Sequence, residues 1–300
     1  MTDLPDPIAA HRPRLFSIAY RMLGSRADAE DVLQDAWLRW QRTDAATLQA
    51  LQSTEAWCVT VVTRLALDRL RAAKAEREAY TGFWLPEPLL TPARETPDGI
   101  AELASDLSMA FLWLLERLGP EERAAYLLRH AFDHDYGDIA TLLGKSEAAC
   151  RQLVHRAAER VQAGRRRFEV PLAAHRRVLE RFVDAARCGD RASLQALLAD
   201  DAELVSDGGG KVPSFGKVLV GAMRIANLYW AGHRRLAARI VYRATDLNGE
   251  PGLLRYIDGQ LESAQSLVTD GVRITALYVV RNPDKLQHLA AVTGPLPAAS

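Results

Sequence analysis

The stretch EAACRQLVHRAAER, residues 147–160, sets Arg151, Gln152, His155 and Arg156 at helical spacing away from Cys150, Leu153, Val154 and Ala157. Arg and Gln can each place two hydrogen bonds on one purine edge, so their side-by-side occurrence on one helix suits base reading. Glu147 and Arg160 point away from the apolar face with them, and Arg165, Arg166 and Arg167 continue the positive strip toward what phosphate contact requires. The elements that must position these groups are also legible. Ile139, Leu142 and Leu143 form an apolar face, Ala140 is small where two helices approach, Gly144 makes a turn and Ser146 can cap the next helix. Pro120 opens an earlier helix, where its missing N–H is not needed. Two helices joined this way make a helix-turn-helix, whose second helix enters the major groove.

A second constellation lies upstream in STEAWCVTVVTRLALDRLRAAKAERE. Val59, Val62, Ala66, Leu67 and Leu70 make a core face, while Thr60, Arg64, Asp68, Arg71 and Lys74 make a polar, largely basic stripe with Trp57 at its start. Cations beside an aromatic ring suit single-stranded DNA, the charges holding phosphates and the ring offering a stacking surface. The same spacing also fits a solvated helix face. A third helix, ADAEDVLQDAWLRW, aligns Ala29, Val32, Leu33, Ala36, Trp37 and Trp40 on one side and Glu30, Asp31, Gln34, Asp35 and Arg39 on the other. Gly24 ends the helix before it, and Ser25 with Asp28 three residues on resembles a capping box. An ordinary amphipathic helix with an acidic solvated face has the same pattern.

The chain of 300 residues is long enough for two or three domains, with 48% hydrophobic and 25% charged residues and a formal net charge of zero. This composition excludes a disordered chain and a generally basic one, though not a local basic face, because charge acts over about 8–10 Å in physiological salt. Cys58, Cys150 and Cys188 form no CxxC pair, so neither a disulfide framework nor a zinc site is implied. The N-terminus lacks an apolar targeting segment, and no run of about 18 apolar residues occurs. A soluble, reduced, cytoplasmic protein is expected. Residues 11–77 read as helix with one short break, AYTGFWLPEPLLTPARETPDG as a linker, and residues 100–167 as helix again. After Pro171 two short helices, LAAHRRVLERFVDAARCG and RASLQALLAD, lead into glycine-punctuated β-like runs.

SDGGGKVPSF, residues 206–215, could be a phosphate-cradling loop or a tight turn. A P-loop needs GxxxxGK[ST] with a helix starting at the loop. Here Lys211 is followed by Val212-Pro213, which is extended. Three glycines instead suit a turn needing positive φ or the close approach of another segment.

Taken together, RLFSIAYRMLGSRADAEDVLQDAWLRW, AWCVTVVTRLALDRLRAAKAERE and the helix-turn-helix resemble regions 2 and 4 of the extracytoplasmic-function sigma factors. WLPEP (Trp84, Leu85, Pro86, Glu87, Pro88), DGGGK (Asp207, Gly208, Gly209, Gly210, Lys211) and NPDKL (Asn282, Pro283, Asp284, Lys285, Leu286) resemble the three signature motifs of one subgroup, whose members carry a fused SnoaL-like C-terminal domain. The helix end RAAKAERE is less basic than that family's usual arginine cluster.

The resemblance implies a multidomain chain: two all-α sigma domains, a region 2 helical bundle and a region 4 helix-turn-helix, followed by an α+β cone-shaped domain. It sets region 2 at residues 1–77, a linker at 78–105, region 4 at 106–170, the SnoaL-like domain at 171–290 and a tail at 291–300. It implies that Asp31, Asp35, Trp37 and Arg39 meet core RNA polymerase, and that Trp57, Thr60, Arg64, Asp68, Arg71 and Lys74 melt and read the minus-ten element of promoter DNA. Glu147, Arg151, Gln152, His155, Arg156 and Arg165–Arg167 then read or grip the minus-thirty-five element. The three motifs form an interdomain regulatory contact, with the C-terminal domain packing on region 2 and on the linker and modulating activity in cis, in place of a separate anti-sigma protein.

No catalysis, cofactor, metal or membrane association is expected, and a small-molecule effector could occupy the C-terminal domain. The alternative is a small hydrolase, isomerase or cyclase built on Asp207, Tyr229, His233, Tyr256 or Asp258. A one-component repressor would use the same helix-turn-helix but leave the first helices and the linker motif without a role.

Overall fold

A computed structural model describes residues 6–91, 107–164 and 170–295. The chain divides into two compact units: Met1–Glu78 with Leu114–Arg165, and Ala79–Trp113 with Arg166–Ser300. Most of the residues expected to form the linker thus belong to the second unit, and the helices expected for regions 2 and 4 lie mainly in the first.

In the first unit the helices are α1 (Pro7–Ala10), α2 (Arg12–Leu23), α3 (Arg26–Arg42), α4 (Ala45–Gln49), α5 (Thr54–Ala72) and α6 (Lys74–Glu78). The expected single break is in fact several. Gly24 at φ 66° ends α2, and Ser25 Oγ accepts from the Asp28 N–H at 3.2 Å to start α3. Asp44 and Ser53 cap α4 and α5 in the same way. Leu15, Ile18 and Tyr20 of α2, Val32 and Leu33 of α3 and Val62 and Ala66 of α5 are buried, with Trp40 at the edge of this core. Trp37, assigned by spacing to the apolar face of α3, is 36% exposed, because the stripe is narrower than the run of apolar letters.

After α7 (Met109–Leu115) come α8 (Pro120–His130), α9 (Tyr136–Leu143) and α10 (Glu147–Gly164). Pro120 is the first residue of α8, Asp135 caps α9, and Gly144 at φ 65° turns the chain into α10, whose start Ser146 Oγ caps at 3.2 Å. Ile139, Leu142, Leu143, Cys150, Leu153, Val154, Ala157 and Val161 are buried between these helices.

The second unit contains α11 (Leu172–Cys188), α12 (Arg191–Ala196), β1 (Leu198–Asp207), β2 (Leu219–Val220), α13 (Ala222–Leu236), β3 (Ile240–Leu247), β4 (Glu250–Ile257), β5 (Gln260–Thr269), β6 (Ile274–Val280) and α14 (Pro283–Thr293). The sheet order is β2-β1-β6-β5-β4-β3, antiparallel except for the β1–β6 pair. Along β4, Leu253 faces the helical core of Phe182, Ile225 and Tyr229, and Leu254 faces the opposite core of Leu85, Trp113 and Leu286. All seven residues of β6 are buried, as expected of a strand covered on both faces.

Two expected boundaries shift here, and two further stretches prove to be helical. RASLQALLAD is helix only over Arg191–Ala196 and then becomes β1, and the apolar ANLYWAG lies inside α13. NPDKL opens a helix, with Asn282 as its cap and Pro283 as its first residue. That helix runs past the boundary expected at residue 290. No helix among the described residues is long and apolar enough to cross a membrane.

Candidate nucleic-acid interface and linker junction

The second helix of the helix-turn-helix presents Glu147, Arg151, Gln152, His155 and Arg156 on its exposed side, as the spacing requires. Arg151 pairs with Glu147 at 2.8 Å, one turn away. Arg160 holds Glu122 of α8 at 2.6 Å, with Arg156 at 3.5 Å from the same carboxylate. Arg165, Arg166 and Arg167 lie outside the described residues.

The stripe on α5 is only partly open. Trp57 is half-buried and meets the Trp40 ring edge-on at 5.2 Å, so one flank is spent on packing. Thr60 is half-buried, and Asp68 and Lys74 are exposed. Arg64 Nη2 lies 3.5 Å from the Thr141 carbonyl of α9, and Arg71 pairs with Glu121 of α8 at 2.7 Å. Lys145 holds the other oxygen of Glu121 at 3.0 Å. The hydrogen bond from Lys145, then that from Arg71, keeps the Glu121 carboxyl below its ordinary pKa. Beneath this, Glu116 accepts from Arg77 at 2.5 Å and from Arg123 at 2.9 Å, and the nearly inaccessible Arg123 also donates to the Met22 carbonyl at 2.7 Å. Composition could not reveal these ion pairs, because nothing in a single sequence pairs Arg71 with a carboxylate 50 residues away.

On α3, Asp31, Asp35, Trp37 and Arg39 are all exposed. Asp31 is held by Arg69 of α5 at 3.1 Å, so its partner comes from a neighbouring helix. Trp37 walls a hollow of about 350 Å³ together with Ile8, Arg12, Glu30, Leu33 and Gln34.

The three short motifs converge in the second unit. Asp207, fully buried at the end of β1, is the hub. Its Oδ1 accepts from the Tyr80 hydroxyl at 2.6 Å and the Gly209 N–H at 3.0 Å. Its Oδ2 accepts from the Leu85 N–H at 2.9 Å and Lys285 Nζ at 2.7 Å. Lys285 also donates to the Leu85 carbonyl at 2.5 Å. Asn282 Nδ2 donates to the Tyr80 hydroxyl at 2.8 Å while its Oδ1 caps α14. Burial, and then Asp207 beside it, raise the Tyr80 hydroxyl above its ordinary range.

Gly209 and Gly210 take φ of 63° and 69°, and a Cβ on Gly209 would stand 2.4 Å from Asn282 Nδ2. The glycines therefore serve both readings made for them, positive φ and close approach. Lys211 pairs with Asp284 at the solvent edge. Leu85, Pro86 and Pro88 are buried, Trp84 and Glu87 half-buried, and Leu286 packs beneath with Leu85. Tyr80 had no sequence signal beyond lying four residues before Trp84.

A second grip was not foreseen. Leu89 and Thr91 run along the β3–β4 turn: the Asn248 N–H donates to Leu89 O at 2.8 Å and the Thr91 N–H to Asp246 O at 3.1 Å. The linker thus meets the sheet edge through a single antiparallel β-bridge, Leu90 opposite Leu247.

The residues named for the enzymatic alternative are scattered. Tyr229 donates to Gln265 at 2.7 Å in the helical core, while Tyr256 is buried in the opposite core. Asp258 pairs with Arg239, Asp207 belongs to the linker junction, and His233 packs against Gly189.

Comparison with known proteins agrees with this layout. Residues 8–76 match the Sigma-70 region 2 family and residues 108–161 the Sigma-70 region 4 family. The chain is 37% identical to the ECF RNA polymerase sigma factor SigJ of Mycobacterium tuberculosis, over 92% of this chain and 91% of that one. It is 31% identical to the probable ECF RNA polymerase sigma factor SigI of the same organism, over 96% and 98%. The crystal structure of SigJ superposes with a TM-score of 0.74 at 34% identity, covering 93% of this chain and 96% of that one.

Proposed function

This chain belongs to the extracytoplasmic-function sigma factors, and we propose that it binds core RNA polymerase in the cytoplasm and directs initiation at promoters under control of its own C-terminal domain. The observation that carries the control is the Asp207–Lys285 pair closing on both backbone groups of Leu85. The linker that joins region 2 to region 4 in the chain is thereby held by the C-terminal domain at two places. Such a proline-stiffened segment loses little entropy on docking and buries apolar surface in return.

The contacts in the first unit support a closed form. The minus-ten and minus-thirty-five elements are about 25 base pairs apart, or about 85 Å along B-DNA. A compact unit of roughly 130 residues has a radius of gyration near 14 Å and cannot span that. Arg64 and Arg71 are also engaged by the region 4 helices. Promoter reading by both regions therefore requires them to separate, and core polymerase or a ligand that favours the separated form shifts the balance.

Region 4 reads through Arg151, Gln152, His155 and Arg156, with Arg165–Arg167 on phosphate. Region 2 meets polymerase through Asp31, Asp35, Trp37 and Arg39. The dispersal of Tyr229, Tyr256, Asp207, His233 and Asp258 favours regulation over catalysis for the C-terminal domain. Run-off transcription with core polymerase tests the whole: the full chain should initiate at a selected promoter, and Trp84→Ala should change its output without unfolding either unit. Failure of the chain to bind core polymerase would refute the sigma assignment, and unchanged output from Trp84→Ala would refute control through the linker.

A further inference from the structure

The first residue of α9 is Tyr136, and two guanidinium groups stand over its ring. Arg129, from the last turn of α8, sits 5.1 Å from the ring centroid, and Arg151, from the first turns of α10, sits 5.0 Å from it. Arg129 is itself fixed by donating to the His134 carbonyl at 3.1 Å. Arg151 is held from another side by Glu147 at 2.8 Å. The two helices of the helix-turn-helix and α8 before them therefore converge on one half-buried ring, with the most exposed member being the arginine suited to reading a base.

An arginine on a solvated helix loses rotamer freedom when it docks on a base edge. A ring face and a carboxylate that already hold the guanidinium remove part of that loss before DNA arrives. We propose that Tyr136 is a positioning residue for promoter recognition, holding Arg151 for a bidentate contact to a guanine in the upstream element. This rests on the reading of region 4 given above. The tyrosine acts through its ring, since the ring face is what both arginines meet, and its hydroxyl is not required. Guanine is the base favoured, because its O6 and N7 offer two acceptors to the arginine fork.

The test is selection of promoter DNA from a pool randomised through the upstream element, by holoenzyme assembled from core polymerase and the full chain. The variants are Arg151→Ala, Tyr136→Phe and Tyr136→Ala. Wild type should enrich guanine at one position, and Arg151→Ala should flatten that position, a loss of about 5- to 150-fold in preference. Tyr136→Ala should weaken the same position and leave the others intact, while Tyr136→Phe should keep the wild-type profile. Three outcomes would overturn the proposal: a wild-type profile from Tyr136→Ala, an equal loss at every position, or a Tyr136→Phe profile matching Tyr136→Ala. If Arg151→Ala flattens a position and Tyr136→Ala does not, the arginine reads DNA without this support, and only the positioning role falls. If wild type enriches no upstream motif, the assignment of region 4 falls with it.

Discussion

Lys285 Nζ stands 3.3 Å from the centroid of the Trp84 ring while it binds Asp207 at 2.7 Å. One ammonium thus joins the linker motif to both C-terminal motifs. Lys285 and Asp207 are only 7% and 0% exposed at the side chain, so each depends on the other for its charge. Removing one partner of a buried pair costs about 3–5 kcal/mol, because the remaining charge stays buried and unpaired. Lys285→Met should lower the unfolding free energy of the second unit by that amount in urea titrations. Lys211→Met, which breaks a pair more than half exposed on both sides, should cost less than about 1 kcal/mol. Equal small losses from both would show that the junction does not hold the linker.

Gly209→Val should open the junction from the other side. The position has φ of 63°, where a β-branched residue is strained, and any Cβ there collides with the Asn282 amide. Moving Asn282 removes the donor to Tyr80 and the cap of α14 together. Limited proteolysis should then cut within residues 79–91 faster than in wild type, and transcription from a selected promoter should change. Gly216→Ala, with open space around it, should match wild type in both assays. Unaltered proteolysis and transcription for Gly209→Val would count against the mechanism.

Much of this was legible in the sequence because the informative features are local. The helix-turn-helix announces itself through Gly144, Ser146 and the 3.6-residue spacing of Ile139, Leu143, Cys150 and Val154. The linker anchors announced themselves as prolines and large apolar side chains in FWLPEPLL and as three successive glycines in DGGGK. What stayed hidden depends on partners far apart in sequence. Asp31 found Arg69, Arg71 found Glu121, and Leu89 found the β3–β4 turn, none of which periodicity can report. Helix α14 was not foreseen, although Asn-Pro followed by Asp is a cap, a first-turn proline and an acid at a helix start.

The second unit contains two titratable groups whose pH effects oppose one another. Burial lifts Glu250 from 4.5 to about 7 and pushes His175 from 6.5 down to about 4. Glu250, raised in the folded state, contributes stability that is full below pH 4.5 and is lost as pH rises through about 7. His175, depressed in the folded state, contributes stability that is present above pH 6.5 and is lost as pH falls through about 4. Between about pH 4.5 and 6.5 the two slopes, each about 1.4 kcal/mol per pH unit, cancel. Glu250→Gln should therefore expose a stability that rises with pH across this window, and His175→Phe one that falls. Urea unfolding at pH 5 and pH 6 reads both, and parallel behaviour of the two variants would refute the assignment.

If the basic stripe of α5 holds single-stranded promoter DNA, as we propose, Glu121 is the residue whose loss should free it. It holds Arg71 at 2.7 Å and Lys145 at 3.0 Å, and all three side chains are about a third to a half exposed. Pairs this exposed contribute little to stability, less than about 1 kcal/mol each, so Glu121→Gln should leave unfolding nearly unchanged. What changes is the availability of Arg71, which lies on the same stripe as Arg64 and Lys74. Each additional phosphate contact steepens the dependence of log affinity on log salt by about 0.7 for a single strand. Glu121→Gln should therefore bind single-stranded promoter DNA more tightly at low salt, with a slope steeper by about 0.7, and Arg71→Ala in the same background should abolish the gain. Fluorescence anisotropy across a salt series measures both quantities. A gain that survives Arg71→Ala would mean that the freed charge is not the one reaching DNA, and no gain at all would mean that Glu121 does not mask this face.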